Sequence, residues 1–176
     1  MPSPTTPIGT CFEKHHRIRF GQCDPSGIIF FPQYFELFNS HVEDWFAEAL
    51  GVPFAHLIGQ RRLGLPTVHL EADFRAISRM GDEVLLVLHV AALGTRSLTL
   101  ELACFGFPST AGVDKELRVR SQHVLVTTNL ETHGAVALPP DLRRSIERFA
   151  GLSTAPWQVP LVVGSQGAHA PLQSRS

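Results

Sequence analysis

The sequence predicts an α+β domain in which a curved antiparallel sheet wraps around one long central helix. Three features predict it. A single helical stretch with a wide apolar arc runs from Pro32 to Leu50, and four strand-like stretches follow it with short turn signals between them. The size allows one such domain, because 176 residues with 44% hydrophobic side chains supply one full core and leave little for a second.

The first strand is expected over residues 13–20 (EKHHRIRF), followed by a turn at Asp24-Pro25-Ser26-Gly27, where proline fixes φ and glycine accepts a positive φ. Pro32 suits the first position of a helix, whose N–H has no partner to lose. Tyr34, Phe35, Phe38, Val42, Trp45, Phe46, Ala49 and Leu50 then recur with helical period, and Gly51 and Pro53 supply a left-handed cap and a breaker. At 1.5 Å per residue that helix is about 28 Å long. Its polar strip is narrow (Glu36, Glu43, Asp44, Glu48), as in a helix that is mostly enclosed. Strands are expected over residues 66–78, 83–93, 96–107 and 117–130, with connections at Gly81-Asp82 and Gly94-Thr95. In the third of these, Leu98, Leu100, Leu102 and Cys104 alternate with Ser97, Thr99, Glu101 and Ala103, which buries one face. A last helix is expected over 140–149. The domain is placed at residues 11–150, between a loosely ordered tail at 1–10 and a Pro/Gly/Ser-rich tail at 151–176. Within the latter, Trp157 and Val159–Val163 could dock on the domain or on a neighbouring subunit.

A formal net charge of −1 and no basic run argue against nucleic acid as a partner. No apolar stretch is long enough to span a bilayer, and residues 1–10 lack the basic start and apolar centre of a secretion signal, so a cytoplasmic location is expected. Cys11, Cys23 and Cys104 are odd in number and show no CxxC spacing, which argues against a disulfide framework. His15 and His16 are adjacent in a strand and point to opposite faces, so no metal site is expected there.

The chemistry is concentrated in Phe20-Gly21-Gln22-Cys23-Asp24-Pro25-Ser26-Gly27-Ile28-Ile29-Phe30-Phe31-Pro32-Gln33-Tyr34. One acid sits in a loop among apolar residues, just before a helix. If those residues close over it, Asp24 loses hydration and becomes a stronger base and nucleophile. The helix start offers free N–H groups and the positive end of a dipole. Phe31 precedes a proline and is expected to be extended, its N–H free to meet a ligand. A thioester carbonyl placed there would be polarised.

This segment resembles the signature of the 4-hydroxybenzoyl-CoA thioesterase family of hotdog-fold enzymes, in the branch reading F-G-D-C-D-P-A-G-I-V-[WY]-[FY]-P-x-Y. The chain departs from it at Gln22 and Ser26 and carries Phe30 and Phe31 at the aromatic positions. A weaker likeness continues through Ala72-Asp73-Phe74, Gly81-Asp82 and Gly94-Thr95-Arg96-Ser97. The resemblance implies a hotdog fold and hydrolysis of an acyl-CoA to free acid and CoA. Asp24 would be nucleophile or general base, and the N–H of Phe31 the carbonyl donor. It further implies Arg96 as a contact to CoA phosphate, with Pro25, Gly27 and Phe30 around the substrate. No metal or prosthetic group takes part, CoA being part of the substrate, and subunits join their sheets as homodimers or homotetramers with sites between them. A sister branch has a histidine where this chain has Phe31, which points instead to an aromatic acyl group.

Plainer roles are weighed beside these. Asp24-Pro25 could simply open a turn. Cys23 has no histidine near it in sequence to activate it. Glu36 and Glu43 match the helix's solvent strip, Asp73 could pair with an arginine, and Arg61 and Arg62 read as solvated loop charges. His69, His89 and His123 are expected to be satisfied or half-exposed strand residues. A thioesterase for carrier-protein-bound acyl chains and a non-catalytic acyl-CoA binder are the alternative functions.

Overall fold

The computed structural model describes residues 11–107 and 115–150, so the expectations for both tails, Trp157 and Val159–Val163 included, lie outside the described residues. Ten elements follow in chain order: β1 (Phe12–Arg17), α1 (Pro32–Glu48), α2 (Phe54–Gly59), β2 (Leu63–Gly64), β3 (Thr67–Phe74), β4 (Glu83–Leu93), β5 (Ser97–Gly106), β6 (Glu116–Val126), β7 (Thr128–Asn129) and α3 (Pro140–Ala150). The five long strands form one antiparallel sheet in the order β1-β4-β5-β6-β3. Its inner face, carrying Leu86, Leu88, Leu100, Leu102 and Val119, closes on Tyr34, Phe38, Val42, Trp45 and Phe46 of α1 in one core. The expected sheet around a buried helix is what forms.

The sequence logic holds at both ends of α1. Pro32 occupies its first turn, and Gly51 has φ +70°, the left-handed backbone that glycine adopts without penalty. Elsewhere the elements depart from expectation. The first strand stops at Arg17, and Phe20–Gln22 forms a 3-10 turn. The strand expected over 66–78 stops at Phe74, because the N–H groups of Arg75 and Ala76 both turn to the carbonyl of Arg118. Residues 78–80 then pair with the loop at 27–29. The short helix α2 and the two-stranded β2-β7 ribbon were not foreseen.

Candidate active site

The loop from Cys23 to Phe31 joins β1 to α1 and is pinned from several sides. The Asp24 N–H donates to the Ile28 carbonyl at 2.9 Å, and the Gly27 N–H donates to the Asp24 carbonyl at 2.9 Å. Gly27 has φ +76°, so the turn needs the glycine that the sequence supplies. The Ile29 N–H donates to the Ser78 carbonyl at 3.0 Å, the Met80 N–H to the Gly27 carbonyl at 3.0 Å and the Phe30 N–H to the Gln22 carbonyl at 2.9 Å. Beneath the loop, the buried Tyr34 hydroxyl donates to Ser78 Oγ at 2.9 Å, tying α1 to the same strut. A segment so braced holds its side chains in one arrangement.

Asp24 Oδ1 accepts the Ser26 N–H at 2.8 Å and the Ser26 hydroxyl. These bonds, the hydroxyl first, hold its carboxyl below the usual carboxylate range. The expectation of a dry Asp24 is therefore corrected for the single chain, where its side chain is exposed. The apolar neighbours do not fold over it. Ile29 turns inward and is buried, while Phe30 and Phe31 stand outward at 51% and 57% exposure. Pro25 is likewise exposed and Gly27 half-buried.

Phe31 corrects a second expectation. Its backbone is helical, φ −51° and ψ −34°, and not the extended form that a following proline favours. The first turn of α1 imposes this, because Gln33 and Tyr34 donate back to the carbonyls of Phe30 and Phe31 at 2.8 and 3.2 Å. The consequence for chemistry is unchanged. The Phe31 N–H makes no hydrogen bond to any described residue, and it stands at the amino end of α1.

Around that amide lies an aromatic surface that motif reasoning did not assemble. Phe31 meets Phe30 at 5.5 Å between ring centroids and Phe74 at 6.2 Å, and Phe74 meets Tyr34 and Phe35 at 6.0 and 6.3 Å. Phe74, from the end of β3, is half exposed. The pattern Ala72-Asp73-Phe74 was its only signal in the sequence.

Arg96 does not join this site within one chain. It lies in the β4–β5 turn, where its carbonyl accepts the Thr127 N–H at 2.8 Å, whereas the Asp24 loop touches residues just before β4. The 11 residues of β4 separate the two, about 33 Å at strand rise.

Cys23 is not activated, since desolvation and then the Asp24 carboxylate push its thiol up. Glu36 and Glu43 are exposed. Asp73 meets Arg75 at 3.4 Å, and Arg61 is tied to Asp141 at 2.6 Å, so it is not a free loop charge. His15 stacks on Phe107 while His16 faces Gln22 at 3.1 Å. Among the described residues no group of three or more His, Cys, Asp or Glu is placed to hold a metal ion. No helix among them is long and apolar enough to cross a membrane. His123 departs from expectation by being buried with its Nε2 unpartnered among the described residues.

Residues 18–146 match the profile of the thioesterase-like superfamily. The chain belongs to that superfamily. Among curated relatives of this thioesterase-like chain, it is 33% identical over 78 residues to a 1,4-dihydroxy-2-naphthoyl-CoA hydrolase of Synechococcus elongatus, covering 44% of this chain and 57% of that protein. The match thus spans little more than half of that relative's length. It is 25% identical over 128 residues to a 4-hydroxybenzoyl-CoA thioesterase of Pseudomonas sp. strain CBS-3, covering 71% of this chain and 89% of that protein. Among solved structures, that of the Pseudomonas enzyme superposes with a TM-score of 0.68 at 23% identity, covering 77% of this chain and 99% of the other. A 1,4-dihydroxy-2-naphthoyl-CoA thioesterase from Synechocystis superposes at 0.69 with 20% identity, covering 77% and 95%. At such identities the structures establish the fold, which is the hotdog fold.

Proposed function

We propose that this protein hydrolyses an acyl-CoA thioester, with an aromatic acyl group, to the free acid and CoA. The observation that carries this reading is the braced loop that sets the Asp24 carboxylate and the unbonded Phe31 N–H on either side of one turn, beside exposed phenylalanine rings. Two relatives named for aromatic acyl-CoA substrates support it.

The acyl carbonyl oxygen accepts the Phe31 N–H, which stabilises the charge that develops on that oxygen by about 3 kcal/mol, as a single well-placed donor does elsewhere. Asp24 then acts in one of two ways. As nucleophile, its oxygen bonds the carbonyl carbon and the carbon–sulfur bond breaks. CoA leaves as a thiolate that takes a proton, and water hydrolyses the mixed anhydride to return Asp24. As general base, it accepts a proton from the attacking water instead. Carboxylate, amide and water balance the reaction, so it calls for no metal or prosthetic group. Pro25, Gly27 and Phe30 shape the mouth of the site. Arg96 meets CoA phosphate from a second copy of the chain in a homodimer, or in a homotetramer built from such dimers. A cytoplasmic location goes with this reading.

The test is thiol release from a panel of acyl-CoAs that includes 4-hydroxybenzoyl-CoA and benzoyl-CoA. Asp24→Asn should lower kcat by about 100- to 10,000-fold, with folding and CoA binding nearly unchanged. Wild-type turnover in that variant would remove Asp24 from the mechanism.

A further inference from the structure

A groove of about 430 Å³ runs beside α1, between that helix and the β3–β6 side of the sheet. Asn39 and Val42 line its helix side, Phe54 and Leu65 its far end, and Leu125 and His123 its sheet side. Its volume suits a small organic group. His123 is the unusual member. It is 98% buried by its 2% relative exposure, yet its Nε2 has no hydrogen-bond partner among the described residues. Burial alone pushes this imidazole down to about 4, so the ring is neutral at physiological pH. A buried polar nitrogen without a partner is costly, and one on a residue that lines a groove calls for an explanation.

The aromatic contacts give its place relative to the reacting centre. Phe31 meets Phe74, Phe74 meets Phe35 at 6.3 Å, and the His123 ring meets Phe35 at 6.5 Å and Phe38 at 6.1 Å. Counted along α1, Phe35 and Phe38 stand about 6 and 10 Å beyond Phe31. A thioester carbonyl on the Phe31 amide would therefore send the far side of an aromatic acyl group along α1 toward His123. The groove's polar rim includes Glu36 and Glu43, both exposed, which oppose an anionic substituent. A neutral hydroxyl suits both the uncharged imidazole and the acidic rim. Nε2 is closed to water in the free chain, so half-buried Phe35, which touches both Phe74 and His123, must turn aside to admit the group.

We infer that His123 is a specificity-determining residue whose buried Nε2 hydrogen-bonds a hydroxyl on the far side of the acyl group, so that the site selects hydroxylated aromatic acyl-CoAs. This rests on the proposed thioesterase reading. A site that leaves a buried polar atom unpaired with the unsubstituted ligand discriminates against it. One such bond gives a preference of about 10- to 100-fold.

The experiment pairs hydrolysis with binding, each on matched ligands. kcat/KM is measured for 4-hydroxybenzoyl-CoA against benzoyl-CoA, and for a hydroxylated naphthoyl-CoA against its unsubstituted counterpart. Calorimetry gives the Kd of the corresponding free acids. The wild type should prefer the hydroxylated member of at least one pair about tenfold or more in both measurements. His123→Phe should bring that ratio close to one, and His123→Asn should restore part of it. A purely structural histidine would show the reverse pattern, with His123→Phe lowering the melting temperature and leaving the ratio untouched, and that result overturns the inference. If no acyl-CoA is hydrolysed while the acids are still discriminated through His123, the thioesterase reading fails and the recognition role stands. If the wild type discriminates in neither measurement, the inference falls even where hydrolysis is observed.

Discussion

Ser26 holds the Asp24 carboxyl below its ordinary pKa. Its hydroxyl and its N–H both reach Oδ1, and they are the two largest causes of the lowered pKa. A carboxyl held below its ordinary value stays charged as the pH falls, so a reaction that needs the carboxylate loses rate only below the usual carboxylate range. The kcat/KM profile of the wild type should therefore be flat from pH 7 to about pH 5. Ser26→Ala removes the hydroxyl and should move the acid limb upward, toward the ordinary carboxylate range. A limb that stays in place in that variant would mean the hydroxyl does not govern Asp24. The placing of Asp24 in a turn just before a helix was legible because all of its context, from Phe20 to Tyr34, lies in one local run. The role of Ser26 was not drawn from the sequence, although Asp-Pro-Ser is a pattern in which a side chain caps its own turn. The helical backbone of Phe31 was misjudged because the dipeptide preference of a residue before proline lost to two hydrogen bonds of the first turn of α1.

The packing of α1 on the sheet buries two histidines. Among the described residues, His41 on the helix keeps one bond, from Nε2 to the Phe12 carbonyl at 3.1 Å, and its Nδ1 is unpartnered, while His123 on β6 lacks a partner at Nε2. Burial is the leading cause that lowers both to about 4, from 6.5. Between those values the unfolded chain binds protons that the folded chain refuses, so stability rises with pH across that window. The contribution is full above pH 6.5 and is lost as the pH falls to about 4, on the order of 3 kcal/mol for each histidine. Urea midpoints should fall steadily from pH 7 to pH 4, and His123→Phe should remove about half of the histidine part of that slope. A midpoint independent of pH over that range would show that neither ring is held neutral. The helix itself was easy to read, because its 3.6-residue period and its Pro32 and Gly51 boundaries agree with one another. α2 was missed because a six-residue helix that buries only Leu57 has too little period to register. The orphaned nitrogen of His123 was illegible for a different reason. Strand alternation says which face a side chain takes, but not whether the opposite element offers it a hydrogen bond.

Strand order decides which residues can share a site, and no local pattern encodes it. Arg96 lies at the end of the sheet where β3 begins and the Asp24 loop at the end where β3 stops, since Thr67 pairs with Leu125 and Phe74 with Val119. β3 is also an outer strand of the sheet, and it exposes Val68, Leu70 and Phe74 at 59%, 39% and 50%. A bare apolar edge of this kind invites pairing with another strand. If two copies pair antiparallel along β3 about a twofold axis, the start of one β3 lies beside the end of the other. Arg96 of each copy then approaches Asp24 of its partner, and the exposed rings around Phe74 are covered. This arrangement predicts complementation between inactive variants. Asp24→Asn and Arg96→Glu, each purified alone, should both be deficient in hydrolysis, the second through a raised KM for the CoA substrate. Mixed in equal amounts and allowed to exchange subunits, they should recover about one quarter of wild-type activity, because half of the dimers are mixed and each of these rebuilds one site of two. Light scattering on the wild type should give at least a dimer mass at micromolar concentration. A monomer, or a mixture no more active than its two components, would place Arg96 and Asp24 in separate functions.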